Sequence, residues 1–137
     1  MERVLGLDVG DKTIGVAVSD LLGLTAQGVT TIKRFSNKQD FDAVKGYIDE
    51  YNIKKVVVGM PKNMNGTIGP QGEKTEKFAT KLHNKYGVEI IYQDERMTSL
   101  SATKVLIEGG VRRENRKQFV DKIAAIFILQ AYLDANR

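Results

Sequence analysis

The sequence predicts an α/β fold, one five-stranded mixed sheet flanked by helices, and three observations carry that prediction. Strand-like stretches separated by short turns fill the first part of the chain; the rest alternates strands with helices; and no linker or internal repeat divides the 137 residues. A chain of this length is expected to form a single domain, 1–137, and to bury a real core without staples.

Arg3 to Val9 reads as a strand rich in Val and Leu, and Gly10-Asp11 suits a turn. Thr13 to Ser19 follows as a second strand and Gly28 to Arg34 as a third, so the front of the chain is predicted as an antiparallel meander. The period then changes. Asn37 is the expected N-cap of a helix on which Phe41, Val44, Ile48 and Tyr51 recur at helical spacing. Lys55 to Met60 is a short unbroken run dominated by valine, the mark of a strand buried on both faces. Pro61 to Gly72 offers almost nothing to bury and is predicted as a loop. Glu73 to Tyr86 is predicted helical, with Gly87 as its stop. Val88 to Gln93 gives the fifth strand. Two helices finish the chain, from Ser99 to Glu108 and from about Phe119 to Ala135.

Composition narrows the chemistry. Apolar residues make up 42% and charged residues 28%, an ordinary globular balance. There is no cysteine, which excludes disulfides, thiolate zinc sites and thiol nucleophiles. The single histidine, His83, is expected to face solvent and removes chemistry that needs a pair of imidazoles. No apolar run approaches the ~20 residues of a membrane span, and the start lacks the apolar core of a signal peptide, so a cytoplasmic location is expected. The net charge of +4 is compatible with nucleic acid without requiring it.

Acidic residues stand where carboxylates are costly. Asp8 lies near the end of the first strand, sharing a face with Gly6 and Val4. The competing reading is an aspartate that caps the following turn. Asp94 and Glu95 end the fifth strand; being adjacent they point to opposite faces, and spacing alone does not choose between them. Asp121 falls on the apolar side of the last helix near its predicted start, unless it is that helix's N-cap. Carboxylates from two strands and a helix would form an oxygen-rich cage suited to Mg²⁺ or Mn²⁺, which supports phosphodiester hydrolysis without His or Cys.

The motifs Gly6-Leu7-Asp8-Val9-Gly10, Val58-Gly59-Met60-Pro61, Asp94-Glu95-Arg96-Met97-Thr98-Ser99 and Asp121-Lys122-Ile123-Ala124-Ala125 occur in that order over essentially the whole chain. In them the sequence resembles the YqgF family, also called RuvX-like, of bacterial ribonuclease-H-fold proteins. The resemblance implies a ribonuclease-H-like fold and assigns Asp8, Glu95 and Asp121 as catalytic, metal-binding acids. It also implies processing of the 5′ end of pre-16S ribosomal RNA in ribosome biogenesis. The family's earlier name refers to Holliday-junction resolution, a link that rests on fold-level similarity.

Cations stand near each acid in sequence. Lys12 follows Asp8, Arg96 follows Glu95, and Arg112, Arg113, Arg116 and Lys117 precede Asp121; with Lys62 and Asn63 of the predicted loop they are the candidate nucleic-acid contacts. The expected partners are nucleic acid, with pre-rRNA favoured over branched DNA, and ribosome-assembly intermediates. Junction resolution needs a dimer whereas leader trimming does not, and the sequence leaves monomer and homodimer open. A non-catalytic RNA-binding assembly factor is the rival of another class. Actin-like and sugar-kinase ATPases also place an acid in a glycine-flanked first strand, but they need two such domains, for which this chain is too short.

Overall fold

The computed structural model describes residues 3–61, 67–94 and 113–136, with residues 113–121 described as backbone alone. The strands are β1 (Val4–Val9), β2 (Thr13–Ser19), β3 (Ala26–Lys33), β4 (Lys55–Met60) and β5 (Glu89–Asp94); the helices are α1 (Asn37–Glu50), α2 (Pro70–Tyr86) and α3 (Arg113–Ala135). One five-stranded sheet has the order β3-β2-β1-β4-β5. β1, β2 and β3 are antiparallel, as the sequence predicts, and β4 and β5 add in parallel beside β1.

The central strands are buried on both faces because both faces carry helices. One layer joins Leu5, Leu7, Val56 and Val58 of the sheet to Phe41 and Val44 of α1 and to Phe78 and Leu82 of α2. The Phe41 and Phe78 rings stack with centroids 4.7 Å apart. The other layer joins Ala17 and Val57 to Ala125, Ile128, Leu129 and Leu133 of α3. This second contact depends on small residues. A Cβ on Gly6 would lie 2.8 Å from the Leu129 Cβ, and one on Gly28 would lie 3.0 Å from the Ile126 Cδ1. Gly6 pairs with Ala17 and Ala17 with Gly28, so a row of small residues crosses three strands and lets α3 lie close against the sheet.

Helix boundaries differ from expectation in three places. Ser36, not Asn37, caps α1, its side chain accepting from the Gln39 amide at 3.3 Å. α2 begins at Pro70, so the end of the predicted loop is helical; proline fits the first turn, where its missing N–H has no intrahelical partner anyway. α3 begins at Arg113, six residues before Phe119. Cations in a first turn oppose the helix dipole, and that polar start hid the helix. β3 also begins two residues early, at Ala26. Gly87 closes α2 in the left-handed region with φ 71°, as predicted. The helix predicted over Ser99–Glu108 lies outside the described residues.

Candidate active site

Asp8 is 7% exposed and sits in β1, the middle strand of the sheet. Alternation along β1 puts it on the α3 face with Gly6. Its antiparallel partner is Gly15. On the other side Leu7 pairs with Val58, so Gly59 follows beside Asp8. The carboxylate therefore stands between two positions that carry no side chain, which leaves room over the sheet next to a buried acid. The adjoining turn is closed by the Gly10 amide donating to the Thr13 carbonyl at 2.8 Å.

Strand register also assigns Asp94, at the end of β5, to a face of the sheet. Val58 pairs with Tyr92 and Met60 with Asp94. Tyr92 lies on the α2 side, where its hydroxyl meets Thr80 and its pKa is raised, chiefly by burial. Asp94, two residues on, belongs to that same face, opposite Asp8. Glu95 lies outside the described residues. Asp121 occupies the ninth position of α3, so it is not the helix N-cap; its side chain is outside the described set. Its backbone position is one turn before Ala125, and a Cβ on Gly6 would lie 3.3 Å from the Ala125 carbonyl oxygen. α3 runs from the Asp8 end of β1 towards the start of the strand, where the Lys55 ammonium donates to the Tyr132 hydroxyl at 3.3 Å.

Lys12 is exposed in the β1–β2 turn, and its carbonyl accepts from the Arg34 amide at 2.9 Å. Arg113, Arg116 and Lys117 belong to the start of α3 and not to a loop before it. Lys62, Asn63, Arg96 and Arg112 lie outside the described residues. His83 is exposed, with its Nδ1 2.8 Å from the Val88 carbonyl oxygen. Among the described residues no three acidic or histidine side chains converge as a metal cage, Glu95 and the Asp121 side chain not being among them. Sequence reasoning missed the glycine flanks of Asp8, which only strand pairing reveals. It also missed a cationic cleft between α1 and α2, built from side chains far apart in the chain.

The family model described as "RuvX: Holliday junction resolvase" matches residues 2–135. A protein of Thermoanaerobacter pseudethanolicus named "Putative pre-16S rRNA nuclease" is 54% identical over 136 residues, covering 98% of each chain. A Lactococcus lactis subsp. cremoris protein of the same name is 57% identical over 136 residues, covering 98% of this chain and 95% of its own. Among solved structures, T. thermophilus RuvC in complex with a Holliday junction substrate aligns with a TM-score of 0.63 at 14% identity, over 99% of this chain and 96% of that one. The fowlpox virus Holliday junction resolvase aligns with a TM-score of 0.58 at 17% identity, over 98% and 99%. At such identities the structural likeness establishes the fold, that of the ribonuclease-H-like resolvases.

Proposed function

The chain belongs to the RuvX family, and we propose that it is a divalent-metal-dependent nuclease that processes the 5′ end of pre-16S rRNA. The observation that carries the reading is Asp8, a buried carboxylate on the middle strand, flanked by glycine positions and facing the helix that contains Asp121. Hard oxygen donors in such a setting fit Mg²⁺ or Mn²⁺, and the chain has no cysteine to offer a thiolate.

Asp8, Glu95 and Asp121 would hold the metal. Register removes Asp94 from Asp8's face, which supports Glu95 as the acid from β5. When bound, the ion supplies Lewis acidity that activates water and stabilises charge on the phosphate during in-line displacement. The residues' own part is to fix the donor oxygens. Asp8 is held by a ladder that pairs β1 on both sides, and α3 is held by its close seat on Gly6. Lys12, Lys62, Asn63, Arg96, Arg112, Arg113, Arg116 and Lys117 would bind the substrate backbone by charge and hydrogen bonding. The relatives that share this sequence along nearly its full length carry the pre-16S rRNA name, which favours RNA in the cytoplasm, on ribosome-assembly intermediates, handled by one domain. Among the described residues no helix is long and apolar enough to cross a membrane.

The test is cleavage of a pre-16S 5′ leader RNA and of a four-way DNA junction, with Mg²⁺ or Mn²⁺, by the parent chain and by Asp8→Asn. Asparagine keeps the shape of the side chain while removing its charge. Leader cutting that falls to background in the variant, with unfolding unchanged, is the expected result. Equal cutting by both proteins overturns the metal site, and cutting of the junction alone overturns the RNA substrate.

A further inference from the structure

We propose that the cleft between α1 and α2 is a second binding surface, which takes the phosphate backbone of substrate RNA that flanks the cut. The inference rests on the nuclease reading for the identity of the nucleic acid and on the cleft itself for the contact. The cleft encloses about 260 Å³ and presents Arg34, Lys74, Lys77 and Lys81 around the Phe41 and Phe78 side chains, with no carboxylate among the described residues of its lining. A concave surface of one charge sign over an apolar wall focuses its field and draws anions inward.

The cations differ in how far they are committed. Arg34 is fixed in place: it donates to Asp40 at 2.9 Å and to the Gly10 carbonyl at 2.7 Å, and its guanidinium lies 5.3 Å from the Phe78 centroid. Among the described residues Lys74 pairs with the exposed Asp11 at 3.5 Å, a contact that water screens. Among the described residues no carboxylate pairs with Lys77 or Lys81. Both are exposed. Lys74, Lys77 and Lys81 follow one another at helical spacing, and the first and last stand about 10 Å apart along the axis.

Position ties the cleft to the active site. The Lys74–Asp11 contact, the Arg34–Gly10 bond and the Gln71 amide donating to the Val9 carbonyl at 3.2 Å all anchor it to the turn that follows Asp8. Lys12 stands exposed on that same turn. An RNA backbone leaving Asp8 over Lys12 thus enters the cleft at Lys74 and runs down α2 past Lys77 and Lys81.

The experiment compares Lys77→Ala/Lys81→Ala with the charge-matched Lys45→Ala/Lys54→Ala, whose residues lie together at the opposite end of the sheet. Affinity is read by fluorescence anisotropy without divalent metal. The probes are a long pre-16S leader RNA, the same RNA trimmed to a few nucleotides around the cut, and a four-way DNA junction. Two lost phosphate contacts make the log–log salt slope shallower by about 1.4 to 1.8, which at 0.15 M salt is about a ten- to thirtyfold loss of affinity relative to a 1 M reference. That loss is expected on the long RNA and absent on the trimmed one. An unchanged slope, an equal loss in the control pair, a loss that persists on the trimmed RNA, or a loss confined to the DNA junction each overturns the proposal. Because anisotropy needs no cutting, this result is independent of whether Asp8→Asn abolishes cleavage.

Discussion

Replacing Gly6 by alanine tests the way α3 is seated on the sheet. The added Cβ would meet the Leu129 Cβ at 2.8 Å and the Ala125 carbonyl oxygen at 3.3 Å. Ordinary carbon–carbon contact is about 3.5–4.0 Å, so the helix must retreat by up to an ångström. Neither obstacle is a flexible tip: one belongs to the helix backbone and the other is attached directly to it. Ala125, Ile128 and Leu129 are essentially fully buried in that layer, and a small radial gap forfeits a quarter to a half of their dispersion energy. Overpacking of this kind costs about 1–3 kcal/mol, and we expect about 2 kcal/mol here because no rotamer change relieves it. Urea unfolding followed by circular dichroism should show a lower midpoint with an unchanged m value. A loss below about 0.5 kcal/mol would refute the close seating, since surface-like tolerance has that size. A second measurement sharpens the point. Leu129→Ala keeps the offending Cβ, so it should not rescue Gly6→Ala, and rescue would show that the contact is made by the outer methyls instead.

Two further outcomes concern the turns on either side of the sheet. Asp40 is nearly fully buried, accepting from Arg34 at 2.9 Å and from the Phe35 amide at 3.1 Å, so Arg34→Met should cost about 3 kcal/mol by stranding that charge. Thermal unfolding checks this, and a loss under about 1 kcal/mol would show that solvent satisfies Asp40. Asp20 accepts from the Leu24 amide at 2.8 Å, and that bond is the chief reason its pKa is lowered, with the Thr25 amide and hydroxyl adding to it. A carboxyl whose folded pKa is depressed contributes stability above its unfolded pKa and loses it as pH falls through the folded value. The Leu24 amide proton shift, followed by NMR, should therefore titrate with a midpoint below the ordinary ~3.9 of aspartate and stop titrating in Asp20→Ala. A midpoint at or above that value contradicts the turn geometry.

What was legible in the sequence was whatever a short stretch decides alone. The valine run of β4 announced a strand covered on both faces, and Gly87 announced a left-handed helix stop. Phe41, Val44 and Ile48 recur at helical spacing and are buried. The starts of α2 and α3 were misplaced because their first turns hold residues that read as loop or as solvated charge, while later turns supply the packing. Whether Asp94 shares Asp8's face could not be read, because the answer lies in the pairing of β5 with β4 and of β4 with β1. The α1–α2 cleft was invisible for the same reason. Arg34 and the α2 lysines are ordinary surface cations until tertiary packing brings them around one hollow.

The two buried acids differ in what surrounds them. A carboxylate on an apolar element is a cost, and at Asp8 that cost points to a role beyond packing. Burial by itself is a weaker criterion than it looks, because Asp40 is more buried than Asp8, at 2% against 7% exposure. Asp40 has a structural answer: Arg34 and the Phe35 amide meet both of its oxygens and tie α1 to the end of β3. Asp8 differs in its flanks. Gly15 pairs with it and Gly59 follows beside it, so its neighbours across the sheet withhold side chains where packing alone would favour them. A central strand that gives up side-chain packing around a buried charge loses stability on both counts. Packing alone does not favour that arrangement, and it is what the proposed nuclease reading requires, since there a cation and a phosphate must reach the carboxylate.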